Sequence, residues 1–98
     1  MGSENVYLTG NTIRLFAEFR DFDGKLVDIM FPKVTIYDYK YNNILEVRLK
    51  DEHKLETGKY FYDFITDLEP KRIIYEFSGE LDGTPTLDRN SFVTRFID

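Results

Sequence analysis

Asn11-Thr12-Ile13-Arg14-Leu15-Phe16-Ala17-Glu18-Phe19-Arg20 alternates without a break. Ile13, Leu15, Ala17 and Phe19 fall on one side, and Arg14, Phe16, Glu18 and Arg20 on the other. A period of two is the geometry of a β-strand, whose successive side chains point to opposite faces. An apolar side backed by a mostly polar side means that one face is buried. This stretch therefore predicts a strand lying over a core, and it sets the reading of its neighbours.

Working outward, the same pattern recurs. Asn5 to Leu8 reads as a short edge strand that ends at Thr9-Gly10-Asn11. Asp21-Phe22-Asp23-Gly24 is a turn, because Asp and Gly tolerate the positive φ of tight turns. Leu26 to Phe31 is apolar but runs into Pro32, which cannot donate to a ladder, so it reads as loop or irregular edge. Lys33 to Tyr39 predicts a strand with Val34 and Ile36 inward. Asn42-Asn43 is a turn, and Ile44 to Leu49 a strand with Leu45, Val47 and Leu49 on one face. Asp51 to Thr57 is polar and suits a short helical turn. Lys59 to Thr66 is a strand with Tyr60, Tyr62 and Phe64 together. Arg72 to Leu81 is another, with Ile73, Tyr75, Phe77 and Leu81 aligned and Gly79 marking a bulge or a close backbone approach. Asp82-Gly83-Thr84-Pro85 is a hairpin turn. Thr86 to Ile97 is the last strand. Phe92 and Phe96 compete there with Val93 and Ile97 for the inward face, and a bulge near Asn90-Ser91 would reconcile them.

About seven short strands with turns every ~8–12 residues form the pattern of a β-sandwich or small barrel. The expected core is Ile13, Leu15, Phe19, Val34, Ile36, Leu45, Val47, Tyr60, Tyr62, Phe64, Tyr75 and Phe77. The bulk numbers agree. The chain has 98 residues, room for one domain spanning 1–98. Residues 1–4 read as a flexible lead-in, with Met1-Gly2-Ser3 resembling an expression scar. Nine Phe and seven Tyr favour pleated, half-buried surfaces. Thirteen basic and eighteen acidic residues leave a net charge of −5, which disfavours nucleic acid as a partner. With no cysteine, neither disulfides nor thiolate metal sites enter. The N-terminus lacks the apolar run of a signal peptide, and no stretch approaches the ~20 apolar residues of a membrane span.

Three stretches together carry a resemblance. They are Gly10-Asn11-Thr12-Ile13-Arg14-Leu15 with Phe19-Arg20-Asp21-Phe22-Asp23-Gly24; Thr57-Gly58-Lys59-Tyr60-Phe61-Tyr62-Asp63-Phe64; and Ile74-Tyr75-Glu76-Phe77-Ser78-Gly79-Glu80-Leu81-Asp82-Gly83-Thr84-Pro85. In this order they resemble immunoglobulin-like β-sandwich modules of the bacterial and macroglobulin type, and more narrowly the small Ig-like proteins of tailed bacteriophages and prophages. The resemblance spans Thr9 to Ile97. It implies an all-β, immunoglobulin-like sandwich of about seven antiparallel strands. It further implies a virion-associated structural or accessory protein, found in the virion or in the host cytoplasm before assembly. The chain departs from antibody-type domains, having neither the Cys pair nor the Trp that packs on it. The resemblance supplies no catalytic residue and no cofactor.

Candidate chemistry is thin. His53 is the only histidine and sits in the polar run Asp51-Glu52-His53-Lys54, where an inert, exposed side chain is expected. Ser3, Ser78 and Ser91 lie in no nucleophile-elbow context. Asp21, Asp23 and Asp28 around Gly24 suggest a calcium loop, since Ca²⁺ gathers oxygen ligands. However, the twelfth position counted from Asp21 is Pro32, not the Glu of an EF-hand. Glu76 with Glu80, or Asp63 with Glu76, would suit a carboxylate pair, but solvated sheet faces bring carboxylates together as readily. Tyr37, Tyr39 and Tyr41 alternate with Asp38 and Lys40 and point outward if Val34 and Ile36 point in. Phe16 and Phe61 point outward by the same parity. Phe16, Tyr37, Tyr39 and Phe61 are thus the candidate binding patch. The expected partner is a protein, another virion component or a second copy. The other expectation is an extracellular carbohydrate-binding or adhesion module of a bacterial surface protein.

Overall fold

A computed structural model describes residues 5–96, so Met1-Gly2-Ser3 and Ile97 lie outside the described residues. Eight strands follow one another: β1 (Asn5–Leu8), β2 (Thr12–Glu18), β3 (Met30–Asp38), β4 (Asn43–Arg48), β5 (Lys54–Glu56), β6 (Lys59–Ile65), β7 (Arg72–Leu81) and β8 (Thr84–Arg95). A 3-10 turn at Asp51–His53 precedes β5. No helix among the described residues is long and apolar enough to cross a membrane. The strands form a large sheet in the order β1-β8-β7-β3-β4 and a small one in the order β2-β6-β5. The two pack face to face as a β-sandwich.

The alternation of β2 translates directly into burial. Ile13, Leu15 and Ala17 are buried and the residues between them exposed. Opposite, the large sheet contributes Val34 and Ile36 from β3, Ile73, Tyr75 and Phe77 from β7, and Phe92 from β8. Each fully buried aliphatic or Phe side chain contributes roughly 1.5–3 kcal/mol. Phe92 anchors an aromatic cluster, with Tyr7, Phe64 and Tyr75 centroids 5.6, 6.4 and 6.1 Å away. Of the expected core, Leu45, Val47, Tyr62 and Phe64 are only partly buried at its margin.

Several expectations need correction. The segment Leu26 to Phe31 is not merely loop. Ile29 within it is a core residue, and β3 already begins at Met30. Pro32 is tolerated because the ladder breaks there: the pairing of β3 with β7 shifts between Met30 and Lys33. Pro32 still serves as an acceptor, its carbonyl taking the Leu49 N–H at 2.8 Å. The polar stretch after Asp51 holds β5 as well as the expected turn. The strands are not all antiparallel, for β1 pairs in parallel with Phe92–Arg95 of β8. A parallel neighbour at a sheet margin leaves no alternation that a four-residue stretch could reveal.

No bulge interrupts β8. Its pairing with β7 runs unbroken from Arg72↔Val93 to Leu81↔Thr84. Phe92 points inward and Phe96 is exposed. The two-residue turn at Asp82 and Gly83, both at positive φ, sets this register. Gly79 marks a close approach instead of a bulge in its own strand. A Cβ there would lie 2.6 Å from the Met30 carbonyl oxygen and 2.8 Å from Ile29 Cδ1. Gly79 therefore lets the entry of β3 close onto β7.

Candidate functional site

The four outward aromatics do not form one patch. Phe16 and Phe61 are cross-strand partners on the outer face of the small sheet. Tyr37 belongs to the outer face of the large sheet, and Tyr39 to the turn that follows β3. The core lies between the two sheets, so these pairs sit on opposite sides of the sandwich. Parity tells which side chains leave a strand's buried face, but not which sheet the strand joins.

The small-sheet face is built by registered pairing. Phe16 is 56% exposed, opposite the half-buried Phe61. Arg14 lies flat against Phe61, its guanidinium carbon 4.1 Å from the ring centroid. The same guanidinium grips Asp63 through Nε at 2.7 Å and Nη2 at 2.9 Å. This bidentate bond holds the Asp63 carboxyl below its ordinary pKa. His53 adds a ring beside Phe61 and Tyr62, at 6.1 and 5.9 Å. His53 is half-buried, not exposed as expected, because its Nδ1 accepts the Lys50 N–H at 3.0 Å and caps the 3-10 turn.

On the large-sheet face Tyr37 is half-buried, its hydroxyl 3.4 Å from Glu76 and its ring 5.8 Å from Tyr41. Arg89 binds Glu76 and stands 5.7 Å from the Tyr41 ring. The ionic partner holds the Arg89 pKa above its ordinary value. Tyr39 is exposed at the turn, with the Lys40 ammonium 5.5 Å from its ring centroid.

Farther along the same face lies an open groove of about 640 Å³, lined by Phe31, Lys33, Glu46, Arg48, Glu80 and Leu87 among others. Its volume falls within the range of ligand clefts. Phe31 holds φ at +54° at the β3 irregularity and is 59% exposed. A bulky side chain rarely adopts this conformation. The sequence carried one signal of this groove, the Pro32 that marks the irregularity.

The remaining candidates separate. Asp21 is occupied within its own turn, its Oδ1 accepting the Asp23 and Lys25 N–H groups at 2.9 and 3.0 Å. Asp28 faces away, bound to Lys54 Nζ at 2.6 Å and the Gly58 N–H at 2.9 Å. Lys54 and then the Gly58 N–H hold the Asp28 pKa down. Among the described residues no group of three acidic or histidine side chains is placed to hold a metal ion, so the calcium loop Asp21, Asp23, Asp28 does not assemble. Asp63 and Glu76 lie on opposite sheets, and Glu76 is taken by Arg89. Asp88 is a titratable group the sequence did not single out. Asp88 is exposed as a residue, but partial desolvation of its carboxyl and the nearby Glu18 push its pKa up, and it has no hydrogen-bond or ion-pair partner among the described residues.

Compared with family models, with curated proteins and with solved structures, the chain matches none.

Proposed function

We propose that the chain is an immunoglobulin-like contact module without catalytic activity, serving as a structural or accessory component of a phage or prophage virion. The strand order supports the immunoglobulin-like part. β2-β6-β5 runs as B-E-D does in such domains, and β8-β7-β3-β4 as G-F-C-C′, with β1 lying beside the last strand. The virion assignment rests on the three stretches that resemble small phage Ig-like proteins.

One observation carries the contact role. Phe16 is largely exposed, yet strand pairing with Phe61 and the Arg14–Asp63 clamp beside it fix its surroundings. A rigid aromatic anchor loses little conformational entropy when a partner covers it, which is why such residues dominate interfaces. The test is mass spectrometry of particles purified from a strain that carries the gene. The chain is expected in the particle fraction at a fixed ratio to the major structural proteins. Its absence from every particle fraction while present in the cell overturns the virion assignment.

A further inference from the structure

The open edges of the two sheets are closed to different degrees. β1 has four residues and β5 three, too short to template much pairing. The bare flank of β8 starts beside Pro85, which offers no N–H. β4 pairs with β3 through a register shift between Ile36 and Tyr37, an irregularity that the pairing of β2 with β6 does not have. β2 is a seven-residue edge strand without proline, and its inward side chains are all apolar.

Hydrogen bonds fix which backbone groups of β2 face outward. The Phe19 N–H donates to Gly58 O at 2.9 Å, and the Thr66 N–H to Asn11 O at 3.0 Å. Odd-numbered positions therefore face β6. Thr12, Arg14, Phe16 and Glu18 turn their N–H and C=O groups to the open side, and the same four residues carry the outer-face side chains. Another strand can join this edge in antiparallel fashion only with such positions opposite each other.

The spacing Arg14-x-Phe16-x-Glu18 is self-complementary under that constraint. When Phe16 stands opposite Phe16 of a second copy, Arg14 falls opposite Glu18 of that copy, and Glu18 opposite its Arg14. Every other allowed register loses both ion pairs, and centring on Arg14 sets like charges together. Arg14 binds Asp63 through Nε and Nη2, which leaves Nη1 for the second carboxylate. Among the described residues β1 pairs only with Phe92–Arg95 of β8, and no strand pairs with Thr84–Asn90 on that side.

We propose that the β2 edge is a self-association site, at which two copies pair antiparallel about Phe16 and join their small sheets into one six-stranded sheet, β5-β6-β2-β2-β6-β5. The pairing is isologous, each copy giving the same strand, so it closes as a dimer and does not propagate. The site rests on the reading of the domain as a contact module and names one of its partners as a second copy of itself.

Sedimentation equilibrium tests it on the full chain, with thermal melts verifying that each variant folds. The wild type is expected to dimerise. Arg14→Glu and Glu18→Arg each place like charges opposite at two symmetric positions, and each alone should weaken association about tenfold or more. An equimolar mixture of the two variants restores opposite charges at both positions and should dimerise again. Should Arg14→Glu unfold on losing Asp63, Glu18→Arg against wild type decides alone. A chain still monomeric at about 1 mM overturns the site. A dimer indifferent to both substitutions overturns it too, because another face then carries the contact. A monomer that binds a different virion protein removes this site and leaves the contact reading standing.

Discussion

β2 and the first half of β8 belong to opposite sheets, yet only one of them looks amphipathic. Every inward residue of β2 is apolar and buried. In β8 the inward positions beside Tyr75 and Phe77 are Asn90 and Asp88, both solvent-exposed. The cause is the unequal width of the layers, five strands against three. β2 has the large sheet beneath its full length. β8 contributes to the core cluster only at Phe92, where Tyr7 and Phe64 close over it. Strand alternation is thus a record of coverage: it is written only where an opposite layer lies.

Breaking the covered end should have the largest effect. Phe92→Ala removes the ring at the centre of the aromatic cluster and should cost about 3–5 kcal/mol, with Leu15→Ala close behind at about 2–5 kcal/mol. Leu87→Ala on the outer face of the same strand, where Leu87 is 54% exposed, should stay within about 0.5 kcal/mol. Urea unfolding of the three variants measures the contrast, and a Leu87→Ala loss equal to that of Phe92→Ala would sink it.

Gly79→Ala comes next. Its new methyl meets the Met30 carbonyl, a backbone atom that cannot swing aside. A loss of about 1–3 kcal/mol is expected, like other overpacking substitutions. A wild-type melting temperature would show that the entry of β3 is free to move.

Two carboxylates sharpen the comparison through opposite pH signs. Asp28 has a folded pKa below its unfolded value, so it stabilises above that unfolded value, about 3.9, and the gain is lost as pH falls through the folded pKa. Asp28→Asn should melt below wild type at neutral pH, with the gap closing in acid. Asp88 has a raised folded pKa, so its charge destabilises once pH exceeds that pKa. Asp88→Asn should melt slightly above wild type at neutral pH, and the two should converge below about pH 4. Melting curves across pH measure both, and a destabilised Asp88→Asn at neutral pH would mean that the carboxylate has a partner.

Much of this was legible along the chain. β2, β6 and the middle of β3 and β7 announce themselves because one face of each is covered. The turn at Asp82-Gly83 follows from residue chemistry alone, whereas Gly79 was legible only as either a bulge or a close approach, and the structure chose the second. Ile29 was hidden because Pro32 argued against a strand, although a broken ladder accommodates it. β5 was hidden because the three residues Lys54-Leu55-Glu56 are too few to show a period. The candidate patch was half legible. Phe16 and Phe61 were marked as outward, but their facing each other is a matter of register, and their separation from Tyr37 and Tyr39 a matter of sheet membership.

By itself the sequence determined that the chain is all-β, which strands carry a buried face, and which residues line most of the core, because alternation and turn chemistry are local. Only the tertiary structure decided which sheet each strand joins, that β1 runs parallel to β8, and which edges stay open, because these depend on pairings between residues far apart in the chain. The same division explains β2. Its alternation is read from ten consecutive letters, while the backbone groups of Arg14, Phe16 and Glu18 stay open because, among the described residues, no strand pairs with β2 on that side.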